Sequence, residues 1–385
     1  MEATTSSAGR PDTKTVLRAA VTPLASIFGS GFLIIVPVLE RTLGGLALLG
    51  VIGICLLAWF VGTAIRHIVT EVEPGMADGT LDRTTVWIDR VADAVIVIAY
   101  VISVALYLRI MAQYVVAYGF DGSQTLERAL AAGTVALIVA VGVTHGFRGL
   151  DLMERLALSA VFVLTTVLGG ALFFTDAADL LSGSLELPPV PDRGLADALL
   201  VLGGIVITVQ GFETVRYLAE EYDAQTRVWA SRVAQLVATS IYVGFVAVAT
   251  PLFGLGTGAG PDKDLLDITE RVAPLLALPL VLSAVFSQLS AATADTVAAA
   301  GNLRGMIASM TSSRAYLLSG VAAIILSWTV DTFVIITIAS RAFAAYYCLQ
   351  AIIAFRTSSG PLRKTLYALL ALVLAAITLL AEPVG

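Results

Sequence analysis

The chain has 385 residues, of which 58% are hydrophobic and 14% charged, and its mean hydropathy is +0.90. Soluble domains carry about 25% charged residues, so this composition excludes an ordinary soluble protein and indicates a polytopic membrane protein. The formal net charge of −6 comes without a basic patch, and we therefore expect the lipid bilayer, and no nucleic acid, as a partner.

In chain order, a polar segment comes first and apolar runs follow. Residues 1–15 are predicted to form a disordered cytoplasmic N-terminus. The apolar runs that follow are long enough to cross a bilayer. The eleven predicted spans cover residues 16–39, 43–66, 91–118, 128–146, 152–174, 195–219, 229–255, 272–301, 314–330, 332–355 and 364–381.

The distribution of basic residues predicts how the spans are oriented. With the N-terminus in the cytoplasm, the inner segments hold 16 of the 23 Lys and Arg residues and the outer segments hold 5. The remaining two, Arg109 and Arg341, lie inside predicted spans. We therefore expect a multi-pass plasma-membrane protein with a cytoplasmic N-terminus and an extracytoplasmic C-terminus.

Ten of the spans divide into two sets of five, over residues 16–174 and 195–355, and residues 364–381 add one more helix. Because five is an odd number, the second set enters the membrane upside down relative to the first. Inverted repeats are typical of secondary transporters, which bind their substrate near mid-membrane at the repeat interface. The pattern therefore predicts an all-α transporter fold.

The first span of each set contains residues that weaken a helix. Span 1 carries "FGSGF" at 28–32, and span 6 carries Gln210-Gly211. Glycine lets the backbone leave helical dihedrals, and the freed N–H and C=O groups can bind a ligand where they line a cavity. We predict that residues 29–31 and 209–212 are non-helical and face each other near mid-membrane. The alternative is that these small residues allow close helix packing.

The same stretches resemble a known family. "FGSGFLIIVP" in span 1 and "GFETVRYLAEEYDAQTRVWASRV" at 211–233 are similar to the amino acid–polyamine–organocation (APC) superfamily, which has a G-S-G stretch in its first helix and a G-F-E stretch in its sixth. The residues that fall on this pattern are Gly29, Ser30, Gly31, Gly211, Phe212, Glu213, Glu220, Glu221 and Arg227.

The resemblance implies a LeuT-type fold, a 5+5 inverted repeat with one extra C-terminal helix. It implies a secondary active transporter that moves a small amino acid or related carboxylate by alternating access, coupled to H⁺ or Na⁺. The alternative is a transport-inactive nutrient sensor of the same fold. The substrate site would lie at the two interruptions. Its expected residues are Ser26, Gly29, Ser30, Gly31, Thr208, Gln210, Gly211 and Phe212.

Asp295 is one of four charged residues expected within the membrane, where a charge costs about 2.5–3.5 kcal/mol and usually faces a cavity or partner. Gln288, Asp295 and Asn302 are seven residues apart and share one helix face. LeuT-like transporters have a sodium site at this position, so Ser290, Thr293 and Asp295 could bind Na⁺. Alternatively, Asp295 carries a proton or pairs with an arginine.

Glu213 and two arginines complete the charged set. The resemblance links Glu213 to gating or protonation, and a structural role for it is an equal alternative. Arg109 and Arg341 are expected near the depth of the binding site, where a guanidinium would favour a substrate that carries a carboxylate. The sequence contains no catalytic motif, metal-ligand cluster or P-loop, so we expect neither an enzyme nor a cofactor beyond the coupling ion. The oligomeric state is left open.

Overall fold

The computed structural model describes residues 11–120, 123–183, 185, 187–252, 274–330 and 332–381, and this part of the chain contains helices and no strands. The helices are α1 Thr13–Ala19, α2 Val21–Leu43, α3 Ala47–His67, α4 Glu73–Ala77, α5 Arg83–Gly119, α6 Gln124–Ser182, α7 Leu195–Gly204, α8 Ala224–Ala249, α9 Ala277–Met306, α10 Ser312–Thr329, α11 Thr332–Thr357 and α12 Pro361–Leu380. Short 3₁₀ segments and one π-helical turn, Ile68–Val72, join some of them.

These elements correspond to the predicted spans. The fourth and fifth spans are the two arms of α6, whose 59 residues would form a straight rod of about 88 Å, far longer than the ~30 Å hydrocarbon core. Gly146, at φ 60° and ψ −154°, divides the two arms. Seven helical segments of the described residues are long and apolar enough to cross a membrane. The all-α polytopic fold is thus as predicted.

The N-terminus departs from the expectation at its end. α1 begins at Thr13, and the Asp12 carboxylate accepts a hydrogen bond from the Thr15 N–H at 3.1 Å as its N-cap. Residues 13–15 are therefore helical, although disorder was expected for them. Residues 1–10 lie outside the described residues.

The predicted interruption of the first span is wrong, because α2 is helical through residues 29–31. The glycines serve close packing, the alternative given above. A Cβ at Gly29 would lie 2.5 Å from the Ser287 carbonyl oxygen of α9 and would overlap Ala291. A Cβ at Gly31 would overlap Thr208. Close approach of neighbouring backbones thus explains both glycines.

Helix α9 lies at the centre of the bundle and fixes the position of the site. It packs against α2, α5 and α6, and every residue from Ser290 to Ala300 is buried. Alanines occupy most of the turns between its polar side chains, which lets neighbouring helices approach closely. By contrast, α12 packs on the outside of the bundle against α11 and is mostly exposed.

Candidate functional site: a buried polar cluster at the broken helix

The sixth span is interrupted as predicted. α7 ends at Gly204, a 3₁₀ segment covers Val206–Val209, and a second 3₁₀ segment covers Phe212–Leu218. Between them, Gly211 adopts φ +125°, a conformation that is cheap only for glycine. The predicted non-helical backbone at 209–212 is confirmed at Gln210 and Gly211, whereas Val209 and Phe212 belong to the flanking 3₁₀ segments.

This broken segment lies directly against α2. A Cβ at Gly211 would lie 2.6 Å from the Ile27 backbone nitrogen and 2.7 Å from the Ser26 Oγ. Gly31 is in similarly close contact with Thr208, whose own hydroxyl donates to the Ile205 carbonyl oxygen at 2.6 Å. The two glycine-containing stretches therefore face each other as expected, although only one of them is interrupted.

Asp295 of α9 lies beside the place where Gly211 contacts Ser26 of α2. Its carboxylate accepts a hydrogen bond from the Ser26 hydroxyl of α2 at 2.6 Å and another from the Ser103 hydroxyl of α5. All three residues have no exposed surface. Among the described residues no arginine or lysine forms an ion pair with Asp295, so the alternative of an arginine partner finds no support. The aspartate is held by neutral donors.

Glu213 lies in the broken segment itself and, like Asp295, accepts hydrogen bonds from neutral donors. One of its carboxylate oxygens accepts from the Gly211 N–H at 2.9 Å and from the Tyr347 hydroxyl at 2.6 Å, and the other accepts from the Tyr100 hydroxyl at 3.1 Å. Glu213 has no exposed surface. Its position after a glycine with positive φ, rather than its place in a regular helix, directs the carboxylate back onto the break.

Three further contacts lie among the residues around the two carboxylates. The Gln210 side-chain amide donates to the Tyr107 hydroxyl at 2.6 Å, and the Ser103 hydroxyl also lies 2.9 Å from the Tyr100 carbonyl oxygen. Phe212 stacks on Tyr347 with ring centroids 5.4 Å apart. We call the polar residues of this assembly the central cluster. Its members are Ser26, Tyr100, Ser103, Tyr107, Gln210, Glu213, Asp295 and Tyr347.

Sequence reasoning missed the members that α5 and α11 contribute. Tyr100, Ser103 and Tyr107 follow one another at spacings of three and four in an otherwise apolar helix, so they share one face. That periodic polar face is a signal that could have identified them. Tyr347 shows no comparable periodicity, because the adjacent Tyr346 is the same residue type and the sequence does not distinguish the two.

The predicted sodium ligands do not come together. The Ser290 hydroxyl faces α6, where it donates to the Glu154 carbonyl oxygen at 3.4 Å, and the Thr293 hydroxyl donates to the Leu289 carbonyl oxygen of its own helix at 2.7 Å. With about 100° between successive helix residues, Ser290 and Thr293 leave the helix on faces other than that of Asp295. In the part of the chain that the structure describes, no group of three or more His, Cys, Asp or Glu residues could hold a metal ion.

The two arginines expected at the site are also placed elsewhere. Buried Arg109 donates to the Thr332 hydroxyl at 3.2 Å and to the Ser327 carbonyl oxygen at 3.2 Å, next to the connection between α10 and α11. Arg341 is exposed and donates to the Ala381 carbonyl oxygen at the end of α12 at 2.8 Å. The sequence predicts how deep Arg109 and Arg341 lie in the membrane, but it does not predict which side of its helix each occupies or which groups it bonds. The hydrogen bonds that each makes to described residues lie away from the central cluster.

One buried carboxyl group was overlooked. Glu154, near the start of the second arm of α6, is 1% exposed, and its Oε1 atom has no hydrogen-bond partner. Thr22 of α2 lies beside its carboxyl group. The neighbouring Arg155 pairs with Asp151, and among the described residues it forms no ion pair with Glu154. The sequence feature that could have identified Glu154 is a single glutamate inside the predicted span 152–174.

A network of ion pairs lies at one end of the bundle. Arg216, three residues after Glu213 in the same 3₁₀ segment, lies 3.2 Å from a carboxylate oxygen of Asp89 and 3.5 Å from one of Glu73. Arg227 at the start of α8 lies 2.7 Å from the other Glu73 oxygen. Arg216, Arg227 and Asp89 are buried. The network ties α4, α5, α8 and the broken segment together, so they cannot separate without breaking it.

Comparisons with known proteins agree with this architecture. A family model described as an APC superfamily transporter matches residues 10–381. The chain belongs to the APC superfamily of transporters. The resemblance seen in the sequence is thus confirmed, and so is a small-molecule transport role in a membrane.

Two further likenesses accompany the family match. An uncharacterized protein of Aquifex aeolicus (strain VF5) is 36% identical over 354 residues, which is 90% of this chain and 85% of that protein. The crystal structure of an Eremococcus coleocola manganese transporter, in complex with an aromatic bis-isothiourea substituted compound, shares the fold with a TM-score of 0.60 and 12% identity, over 97% of this chain and 88% of that one. The predicted LeuT-type fold class is confirmed, and the residue bounds of its two repeats stay a prediction.

Proposed function

We propose that this protein is a proton-coupled secondary active transporter of the plasma membrane, which moves a small amino acid or amine through the central cluster by alternating access. One observation carries the proposal. Two carboxyl groups, Asp295 and Glu213, lie fully buried at the broken helix, where the described residues offer them hydroxyl and N–H donors. Ionisable groups at such depth mark ion and substrate pathways by default.

The charge of the cluster favours a substrate with a cationic group. A cluster with two carboxyl groups and no basic side chain attracts an ammonium group and repels a free carboxylate. The expected preference for carboxylates depended on Arg109 and Arg341, both of which bind carbonyl oxygens elsewhere. We therefore propose that the amine, rather than the carboxylate, is the group that this site recognises.

Proton coupling is proposed over sodium coupling because of the hydrogen-bond geometry. The Ser26 and Ser103 hydroxyls can donate to an ionised Asp295, and each can rotate to accept from the protonated form. The site can therefore gain or lose a proton without rebuilding its backbone. A sodium site would need several converging oxygens, and the hydroxyls of Ser290 and Thr293 point elsewhere.

The ion-pair network provides the closure that alternating access needs. In the proposed orientation, with the N-terminus in the cytoplasm, it lies at the cytoplasmic end and blocks exit from the central cluster. Because Glu213 and Arg216 belong to one 3₁₀ segment, a change in the protonation of Glu213 can move Arg216 away from Asp89. The cycle would then alternate between a state with this network formed and a state with it broken.

A substrate screen followed by uptake tests the proposal. Purified protein is screened by thermal shift against amino acids, amines and organic anions, since a ligand at a hundred times its Kd stabilises by about 2.7 kcal/mol. Hits are then tested for saturable uptake into proteoliposomes with a pH gradient. We expect amine-bearing hits and uptake by wild type and by Asp78→Asn, an exposed control carboxylate, but none by Glu213→Gln. Binding without uptake would indicate the sensor instead, and hits restricted to anions would contradict the amine assignment.

A further inference from the structure

A second polar cavity lies away from the central cluster, between the end of α3, the start of α8 and the start of α12. It has a volume of about 470 Å³, and its lining includes Arg66, Arg232 and Arg363. The acidic group in its lining is Glu71, which is exposed. We call it the basic cavity. Its balance of three arginines against one glutamate contrasts with the net negative charge of the chain.

Arg66 gives the basic cavity a buried cation that lacks a counter-ion. The residue is 6% exposed, and its guanidinium donates to the Gln235 amide oxygen at 2.6 Å and to the Trp59 carbonyl oxygen at 3.3 Å. Both acceptors are neutral, and no carboxylate of the described residues forms an ion pair with it. A buried charge without a counter-charge carries a large desolvation penalty, so an anion in the cavity would be strongly stabilised.

The other two arginines leave their donors available. Arg232 stacks over the Trp229 ring at 5.1 Å but makes no hydrogen bond to a described residue, and neither does Arg363. The planar guanidinium fork matches phosphate oxygens and binds them in a bidentate manner. Three such groups around one cavity suit a phosphate-bearing ligand.

The position of the basic cavity decides the source of that phosphate. Trp59 and Tyr367 line it beside the apolar Val228 and Leu366, and the Arg66 guanidinium stacks over the Trp59 ring at 4.8 Å, so aromatic and apolar side chains lie among the arginines. Aromatic side chains of this kind concentrate at the level of lipid headgroups. Basic pockets between transmembrane helices on the cytoplasmic side bind anionic lipid headgroups.

We infer that the basic cavity binds the phosphate headgroup of an anionic membrane lipid. The lipid joins α3, α8 and α12 at the proposed cytoplasmic surface, and its acyl chains extend past the apolar lining residues Val228 and Leu366 into the bilayer. Tyr367 of α12 already donates to the Thr63 carbonyl oxygen of α3 at 3.4 Å, and the lipid adds a further attachment of this outer helix. The site is independent of the central cluster and of what the protein transports.

The test compares lipids with free phosphate on the full-length protein in uncharged detergent. Thermal stability is titrated with phosphatidylglycerol, phosphatidylcholine and inorganic phosphate, for wild type and for the double variant Arg232→Gln/Arg363→Gln. Both arginines lack hydrogen bonds to lose, so the variant is expected to fold. Arg314→Gln, an exposed arginine at the start of α10, is the matched control.

We expect saturable stabilisation of wild type by phosphatidylglycerol and none by phosphatidylcholine. Each arginine near the membrane surface is worth about fivefold in affinity, so the double variant should bind phosphatidylglycerol about thirtyfold more weakly, while the control keeps wild-type affinity. Equal affinities of wild type and double variant would overturn the proposal. It would also be overturned if inorganic phosphate stabilised the protein as strongly as the lipid, because the cavity would then bind a free anion.

Discussion

Replacing Asp295 by asparagine removes the charge from the centre of the site while keeping the shape of the side chain. The ionised carboxylate accepts from two serine hydroxyls, Ser26 and Ser103. Hydrogen bonds to a charged group are worth about 1.5–3 kcal/mol and those between neutral groups about 0.5–1.5 kcal/mol. Two weakened bonds therefore cost about 2–3 kcal/mol.

The loss of the charge acts in the opposite direction. A buried ion carries an effective desolvation penalty of several kcal/mol, which the amide does not carry. The two contributions offset each other, so Asp295→Asn should unfold with a free energy equal to or above that of wild type.

Transport should respond quite differently from stability. A pH difference of one unit supplies about 1.4 kcal/mol per proton, which is a tenfold accumulation of substrate when one proton is coupled. In proteoliposomes with that gradient, wild type should accumulate substrate about tenfold. Asp295→Asn should equilibrate substrate without accumulating it, and substrate exchange should remain measurable.

The matched control is Ser290→Ala on the same helix, since the Ser290 hydroxyl contacts α6 and not Asp295. This variant should accumulate substrate like wild type. The reasoning is refuted if Asp295→Asn also accumulates substrate about tenfold, or if it folds but loses several kcal/mol of unfolding free energy.

Three further changes test other parts of the site. Gly211→Ala should lower the unfolding free energy by about 2–4 kcal/mol, because a side chain at positive φ is strained and its Cβ would overlap α2. A melting curve like that of wild type would refute the close contact. Tyr347→Phe removes a hydroxyl that donates to Glu213 at 2.6 Å, so the unfolding free energy should fall by about 1–3 kcal/mol and the pH dependence of uptake should shift. An unchanged pH profile of uptake would show that Glu213 does not take part in coupling. Arg216→Gln leaves Asp89 buried and unpaired, so the unfolding free energy measured by denaturation should fall by about 3–5 kcal/mol. Adding Asp89→Asn should restore most of this loss, and additive losses in the double variant would count against the pairing.

The fold could be predicted from the sequence because apolar runs of bilayer length constrain topology strongly. The broken sixth span could also be predicted, since Gly211 needs a backbone conformation that few other residues adopt. Gly29 and Gly31 could not be interpreted in the same way. Whether a glycine breaks a helix or admits a neighbour depends on what lies opposite, and Ser287 and Thr208 come from distant parts of the chain.

The charged residues show the same limit at the level of side chains. Sequence position gives the depth of Arg109 and Arg341 in the membrane, but their hydrogen-bond partners depend on how the helix ends pack. Asp295 was identified because a lone carboxylate in an apolar helix needs donors, and the structure supplies them. The face of α9 that Ser290 occupies follows from helical periodicity alone, so that error was avoidable.

The central claim, that the cluster couples substrate movement to protons, is tested most directly by measuring both fluxes in the same vesicles. Proteoliposomes hold a pH-sensitive dye, and labelled substrate is added outside without an imposed pH gradient. The account predicts that substrate entry changes the lumenal pH in a fixed ratio of protons to substrate, as acidification for symport or alkalinisation for antiport, and that Asp295→Asn abolishes this change. Substrate entry without any change in lumenal pH would contradict it.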